Sequence, residues 1–254
     1  MSVLTRAQKI WRRCAIPLQK IVRSILYYAQ VVDMTVLMAL STIVSEQMKG
    51  NINTMEKVYQ VLNYLAMHPD AKIQFRASDM VLNIHSDALY LTEPNGPSRA
   101  SGHFFMGSLP EDGKPIKLSG AFHTLCAILG FVVASAAEAE LRALFLNCQE
   151  GMIFRLTLED LGHLQTKISL HCNKATATGI ANNTIKRQHL RAMEMRYFWV
   201  SDKVSQDIYS LKWHPGQENL ADYQSKHHLK AHHTAVWSCY LHKNNSPLVL
   251  PRAM

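Results

Sequence analysis

The chain has 254 residues, 48% of them apolar, and carries a formal net charge of +8 with an isoelectric point near 9.3. This length and composition predict a packed globular protein and exclude a mainly disordered chain. The positive charge favours a negatively charged partner, and nucleic acid is the commonest such partner for a basic protein. Composition alone leaves a membrane surface open.

Cysteine and apolar patterns set the expected environment. The five cysteines are scattered and never spaced as Cys-x-x-Cys, which argues against a disulfide framework and a structural zinc site. No apolar run approaches the roughly 20 residues that span a bilayer, so we expect no membrane partner and a soluble location in the cytoplasm or nucleus. The basic stretch before Asp33 contains no acidic residue, so a mitochondrial transit peptide is the alternative to a helix that faces nucleic acid.

The first part of the chain is predicted to be helical. Three amphipathic segments lie within residues 16–68, and the third combines a cap pair, Asn53 and Glu56, with an end before Pro69. We therefore assign residues 1–70 to a helical connection segment, 71–230 to an α/β domain and 231–254 to a C-terminal tail.

From Lys72 onward the pattern changes to short β-rich runs separated by turn residues. The early strands follow one another closely, which predicts an antiparallel meander, whereas the later strands alternate with helices, which predicts parallel pairing through crossovers. The predicted elements are strands at 72–75, 81–91, 103–107 and 116–122, a helix at 135–148, a strand at 167–172, helices at 175–182 and 189–204, a strand at 208–213 and a last helix after Gly216.

The run over Val81–Leu91 is predicted to be the central strand, and Asp87 is the unusual residue in it. A lone carboxylate in a buried strand costs several kcal/mol unless it is paired or bound to a cation. Further along the chain, Ser135 and Glu138 have the spacing of a capping box, which gives Glu138 a structural role and leaves Glu140 unassigned. Asp222 falls in the first turn of the last helix, where favourable interaction with the helix dipole is the structural alternative to catalysis.

Together these pieces resemble the ribonuclease H region at the C-terminal end of copia-type retrotransposon polyproteins. The resemblance rests on Ser86-Asp87-Ala88, on the run Val133–Leu141 and on the run Glu218–Lys226, and it covers roughly residues 20–230. It implies a ribonuclease H-like five-stranded mixed sheet flanked by helices and preceded by a small helical subdomain. The paired aspartates of a polymerase palm, a protease and an integrase are not found in the sequence, so a reverse transcriptase portion would lie in a fuller polyprotein.

The resemblance also implies a chemistry. In that family carboxylates hold two Mg²⁺ ions, with Mn²⁺ as a possible substitute, that activate water for attack on the RNA strand of an RNA/DNA hybrid. Carried over by position, Asp87, Glu140 and Asp222 are the metal ligands. His214 lies where related enzymes keep a mobile histidine, although it is equally well explained as a turn residue.

The third acidic position departs from the family, because Asn173 and Lys174 stand where the family has Asp-Asn. An amide is a poor ligand for Mg²⁺, and the lysine adds a positive charge, so we expect the second metal site to be weakened and hydrolysis to be impaired. Lys174 could instead act as a point charge on the scissile phosphate. Two competing hypotheses are a non-catalytic nucleic-acid-binding module and an inert retrotransposon remnant.

Two further clusters are candidates for binding. Lys186, Arg187 and Arg191 follow the fourth predicted strand and, with Lys174, are expected to contact the phosphates of a hybrid. Four histidines form a His-His-x-x-x-His-His motif, but no acidic or cysteine ligand accompanies them, so a metal site is not expected there. These four are His227, His228, His232 and His233.

Overall fold

A computed structural model of the chain describes residues 6–46, 52–93, 96–108, 119–182 and 194–242. Short 3-10 turns precede α2 and α7. The helices are α1 (Arg6–Val31), α2 (Leu37–Glu46), α3 (Ile52–Met67), α4 (Ala136–Asp160), α5 (Ala175–Ala181), α6 (Glu194–Ser205), α7 (Asp222–Ser225) and α8 (Lys230–Tyr240). The strands are β1 (Val81–Leu89), β2 (Arg99–Gly107), β3 (Ala121–Ile128), β4 (Ile168–Cys172) and β5 (Tyr209–Trp213).

The five strands form one mixed sheet in the order β3-β2-β1-β4-β5. The first three pair as an antiparallel meander, and β4 and β5 continue the sheet in parallel with β1. The α4 crossover between β3 and β4, and the α5 and α6 crossover between β4 and β5, provide the connections that parallel strands require. The predicted ribonuclease H-like fold, with β1 at the centre of the sheet, is confirmed.

One face of the sheet packs against α4. Leu82 and Ile84 of β1 are fully buried in the apolar cluster that also contains Leu144 of α4. Because side chains alternate along a strand, Asn83, His85 and Asp87 point to the opposite face. The helix was predicted to end at Cys148, which is wrong. Gly151 does not interrupt it, and a Cβ there would lie 2.7 Å from Ile84 Cδ1.

A second apolar cluster joins the N-terminal helices to the sheet edge and the C-terminal helix. Leu18 and Leu40 from the first helices share it with Ala121 of β3 and with Tyr240 and Leu241 at the end of α8. This cluster therefore draws residues from all three segments predicted at 1–70, 71–230 and 231–254. Those boundaries stay a prediction, and the segment predicted as a tail contains most of α8.

Further predicted elements require correction. The strand predicted at 103–107 begins earlier, at Arg99. Residues 72–75 form no strand, and the bridge there joins Lys72 to His242 beyond α8. Of the strand predicted at 116–122, residues 116–118 lie outside the described residues, and the observed strand begins at Ala121. Gly120, immediately before it, approaches the backbone of Gln74 so closely that a Cβ would lie 2.7 Å from the Gln74 oxygen. The single helix predicted after Gly216 is a 3-10 turn followed by α7 and α8. Within the described ranges, none of the helices is both long enough and apolar enough to cross a membrane.

Candidate active site

Asp87 is placed near the end of β1 on the face away from α4. It is almost fully buried, and both of its carboxylate oxygens accept hydrogen bonds from protein donors. Asn173 Nδ2 donates to Asp87 Oδ1 at 2.8 Å, and Ser225 Oγ donates to Asp87 Oδ2 at 2.5 Å. The structure therefore brings the first predicted carboxylate and the third predicted position into direct contact.

The two glutamates of α4 take different positions. The Glu138 amide donates to Ser135 Oγ at 3.1 Å, while Glu138 Oε2 accepts from the Ala134 amide at 2.6 Å, so Glu138 caps the start of the helix. Glu140 is 5% exposed and turns inward, where Cys172 Sγ donates to Glu140 Oε2 at 3.8 Å. The cap spacing of Ser135 and Glu138 is therefore observed, the structure adds that Glu140 is the glutamate that turns inward, and the role of Glu140 as a ligand stays a prediction.

Asp222 begins α7, which packs on the Asp87 face of the sheet. Asn219 holds this segment against the central strand, because its Nδ2 donates to the Ser86 carbonyl at 2.8 Å. The carboxylate of Asp222 forms an ion pair with Lys226, one turn further along the chain. Ser225, Lys226 and Asn219 were not predicted to act here, since only the folded chain shows which side chains contact β1.

The buried carboxylates disfavour one another's charge. Burial raises the pKa of Glu140 to about 9, and the negative charge of Asp87 adds to this effect while Lys174 and Lys226 oppose it. Burial raises the pKa of Asp87 to about 6, and Asp222 adds to the shift. Paired carboxylates with raised pKa values are typical of sites that hold a proton or a cation.

The donors around these carboxylates do not fit a pair of divalent cations. Mg²⁺ is usually held by several carboxylates, but Asn173 presents an amide donor here, and protein donors compete for the carboxylates that are present: both oxygens of Asp87 accept hydrogen bonds and Asp222 pairs with Lys226. Among the residues that the structure describes, no three His, Cys, Asp or Glu side chains are close enough to hold a metal ion. In the observed arrangement, the Asn173 amide, the Ser225 hydroxyl and the Lys226 ammonium group stabilise the carboxylates, which bound metal ions would otherwise do.

His214 lies just beyond β5 and belongs to a group of histidines. Its Nδ1 is 3.2 Å from Glu218 Oε2, and its ring lies 4.6 Å from the His171 ring, edge to face. In the sheet register His103, His85 and His171 stand side by side on β2, β1 and β4. All three are essentially inaccessible to solvent. This histidine row, defined as His103, His85 and His171, was not predicted because it depends on strand register.

The predicted phosphate-binding residues are only partly described. Lys174 is exposed beside Asn173, whereas Lys186, Arg187 and Arg191 lie outside the described residues. Arg196, which follows that basic run in the sequence, lies near Arg142, and the guanidinium carbons of Arg142 and Arg196 lie 5.5 and 5.0 Å from the centre of the Phe131 ring. Arg196 lowers the pKa of Arg142 in addition to the effect of burial, so this pair of like charges favours an anion.

Comparison with known proteins supplies the remaining evidence. No protein-family model matches the chain. Over 171 residues, 67% of its length, the chain is 23% identical to a retrovirus-related Pol polyprotein from transposon TNT 1-94 of Nicotiana tabacum. The chain has a ribonuclease H-like fold and is similar to part of a retrotransposon Pol polyprotein. This ribonuclease H-like chain spans only 12% of the length of that polyprotein.

Solved structures with overlapping folds include several ribonuclease H domains. The N-terminal domain of rv2228c from Mycobacterium tuberculosis shares 16% identity at a TM-score of 0.40, covering 57% of this chain and 91% of that one. LC11-RNase H1, solved with an RNA/DNA hybrid, shares 15% identity at a TM-score of 0.40 and covers 55% and 88% of the two chains. A foamy viral protease-reverse transcriptase with dsDNA gives a TM-score of 0.36 at 15% identity, with coverage of 57% and 90%.

Proposed function

We propose that this chain is the ribonuclease H-like domain of a copia-type retroelement, that it binds RNA/DNA hybrids, and that it hydrolyses the RNA strand weakly or not at all. The observation that carries the proposal is the hydrogen bond from Asn173 Nδ2 to Asp87 Oδ1. The amide of Asn173 donates a hydrogen bond to the carboxylate of Asp87. An aspartate would instead add an oxygen ligand and a negative charge.

The impairment follows from charge and geometry together. Hydrolysis of a phosphodiester by paired Mg²⁺ ions, or Mn²⁺ in their place, needs several carboxylates that are free to bind the ions. The chain offers Asp87, Glu140 and Asp222, and each already interacts with a donor of the protein. Lys174 adds a positive charge that opposes the rise in the pKa of Glu140. One ammonium group is nevertheless no substitute for two metal ions that contact the attacking and leaving oxygens.

Binding of a hybrid depends on a different set of residues. The net charge of +8 attracts phosphates over the whole molecule, and the exposed Lys174 lies at the site itself. We assign further phosphate contacts to Lys186, Arg187 and Arg191 and to the pair Arg142 and Arg196. Such contacts recognise the backbone and shape of a duplex, so no sequence preference is expected. A reverse transcriptase portion of a fuller polyprotein is the proposed protein partner.

Binding can be tested separately from cleavage. Anisotropy of a labelled blunt RNA/DNA hybrid, measured in EDTA at several salt concentrations, should show binding that weakens steeply as salt increases. The hybrid should also raise the unfolding temperature, because a ligand that binds only the folded state stabilises it. A chain that unfolds at the same temperature with and without hybrid, and does not bind it at low salt, would be an inert remnant.

A further inference from the structure

A cavity of about 620 Å³ lies between the N-terminal helices and the segment that carries Asp222. Its walls come from α2 and α3 on one side and from α7 and α8 on the other. The cavity and the candidate site share Lys226, which lines the cavity and pairs with Asp222. Its volume falls in the range of sites that bind small molecules.

The lining of this cavity is basic. Three lysines and three histidines contribute to it, and no aspartate or glutamate does so among the described residues: Lys57, Lys226, Lys230, His227, His228 and His233. Lys57 pairs with Glu46 at 2.6 Å and Lys226 pairs with Asp222, so these two charges are already compensated. Lys230 is exposed at the first position of α8, and no carboxylate within the described ranges pairs with it.

Two of the cavity histidines, His228 and His233, disfavour protonation. Burial lowers the pKa of His228, and the neighbouring His232 and Lys226 lower it further. Burial also lowers the pKa of His233, with contributions from His68 and His232. An anion bound in the cavity would oppose these effects, because its negative charge would stabilise the protonated forms of His228 and His233.

Aromatic surface accompanies the charge. The His228 ring is stacked with Tyr223, at 4.8 Å and 14°, and with His232, at 4.4 Å and 23°. Tyr64 and Tyr223 also line the cavity, together with apolar side chains of α2. Flat rings beside lysines are the combination that binds single-stranded nucleic acid, in which phosphates contact the cations and bases contact the rings.

We infer that this cavity binds a single-stranded nucleic acid segment that continues from the hybrid lying across Asp87 and Asp222. The shared Lys226 favours a continuing strand over a free nucleotide, because a strand that passes Asp222 reaches the cavity directly. The inference extends the proposed hybrid binding and requires no hydrolysis. It gives a use to the His-His-x-x-x-His-His motif, of which three members line the cavity and the fourth, His232, stacks on His228.

The test compares a blunt labelled hybrid with the same hybrid carrying a short single-stranded DNA extension, by anisotropy in EDTA at one salt concentration. We expect the extension to lower Kd about tenfold. Lys230→Gln and Gln60→Glu, which alter exposed residues on opposite walls, should abolish most of this gain and leave blunt binding unchanged. Lys20→Gln, which removes an exposed lysine of α1 outside the lining, should keep the gain.

Each contrary result overturns the inference. Equal Kd values for the blunt and extended hybrids would do so, and blunt binding alone would still support the proposed function. AMP and the isolated extension oligonucleotide should also be compared as competitors. If both abolish the fall in Kd at the same concentration, the cavity is a site for free nucleotides. If oligoglutamate competes as effectively as the extension oligonucleotide, the cavity is a general anion site. If the blunt hybrid does not bind, the proposed function fails, and the isolated extension oligonucleotide then decides the inference: binding that Lys230→Gln weakens supports it, and equal or absent binding in the native chain and the variant overturns it.

Discussion

At the candidate site, hydrogen-bond donors contact the carboxylates that we propose as metal ligands. Asp87 shows this most directly, since an amide and a hydroxyl contact its two oxygens. The sequence identified Asp87 as a buried carboxylate in need of compensation, and it identified Asn173 as the departure from the family. The contact between them joins residues 86 positions apart, so it became visible only once β1 and β4 were paired.

Glu140 should destabilise the folded chain at neutral pH. Its folded pKa of about 9 exceeds the ordinary 4.5, so the folded state binds the extra proton and stability falls as pH rises through that window. Glu140→Gln removes this cost and should raise the free energy of unfolding by on the order of 2 to 4 kcal/mol near pH 8, but hardly at all near pH 4. Urea titrations at both pH values measure the effect. An equal change at both would contradict it, and Glu138→Gln is the matched control.

Asn173→Asp should make stability depend on divalent cations. The substitution replaces a donor to Asp87 with a second carboxylate, which should lower the free energy of unfolding by about 2 kcal/mol without metal. Added Mg²⁺ should restore much of that loss, because it binds only the folded variant. Thermal unfolding with and without Mg²⁺ is the measurement. The native chain and Asn173→Ala should respond little, and a comparable Mg²⁺ response in the native chain would contradict our account of the donors.

At the level of elements, the histidine row of His103, His85 and His171 should make the sheet sensitive to acid. Burial lowers the pKa of His103 to about 3 and that of His171 to about 3, and it lowers that of His85 as well. The unfolded chain therefore binds more protons below its ordinary pKa of 6.5, and stability is lost as pH falls from there toward 3.

Replacing one member of the row should reduce this loss. His103→Leu should make the free energy of unfolding fall less steeply between about pH 6 and 4, by up to about 1.4 kcal/mol per pH unit. Urea titrations across this interval measure the slope. The exposed residue His163 provides the control, and a His163→Gln variant that changed the slope as much as His103→Leu would refute the assignment to the row.

A buried ion pair should hold the meander to the N-terminal helices. Arg99 of β2 is fully buried, pairs with Glu93 at 2.6 Å and donates to Ser41 Oγ of α2 at 2.5 Å. Glu93→Gln leaves the guanidinium without a carboxylate and should cost about 3 to 5 kcal/mol of stability in urea titration. The more exposed pair of Arg155 and Glu159 is the comparison, and Glu159→Gln should cost less than about 1 kcal/mol.

The elements that sequence patterns predicted correctly are those with strong local signals. The central strand was placed at 81–91 and observed at Val81–Leu89, and Ser135 begins α4 as the cap spacing predicted. Two of the errors, the end of α4 and the start of β3, lie at glycines that pack closely against other elements. The α4 helix continues past its predicted end because Gly151 packs closely against Ile84 and Tyr209, and Gly120 lies where the start of β3 is displaced. The effect of a glycine depends on its contacts with distant residues, and a local sequence pattern does not show these contacts.

For the molecule as a whole, we propose a retained scaffold with a weakened reaction. The sheet order, the buried Asp87 and Glu140 and the positive charge are all present, whereas the third acidic position carries an amide. The sequence revealed that substitution without the structure. The basic cavity and the histidine row needed the fold, because their members are distant in the chain.

Cleavage of a labelled RNA/DNA hybrid in Mg²⁺ and in Mn²⁺ tests the central claim most directly. The native chain should be compared with the double variant Asn173→Asp, Lys174→Asn, after both are shown to bind the blunt hybrid. We predict that only the variant cleaves the RNA strand, and that adding Asp87→Asn to it abolishes cleavage. Cleavage by the native chain at a similar rate would show that the donors around Asp87 do not prevent hydrolysis, and would contradict the proposed impairment.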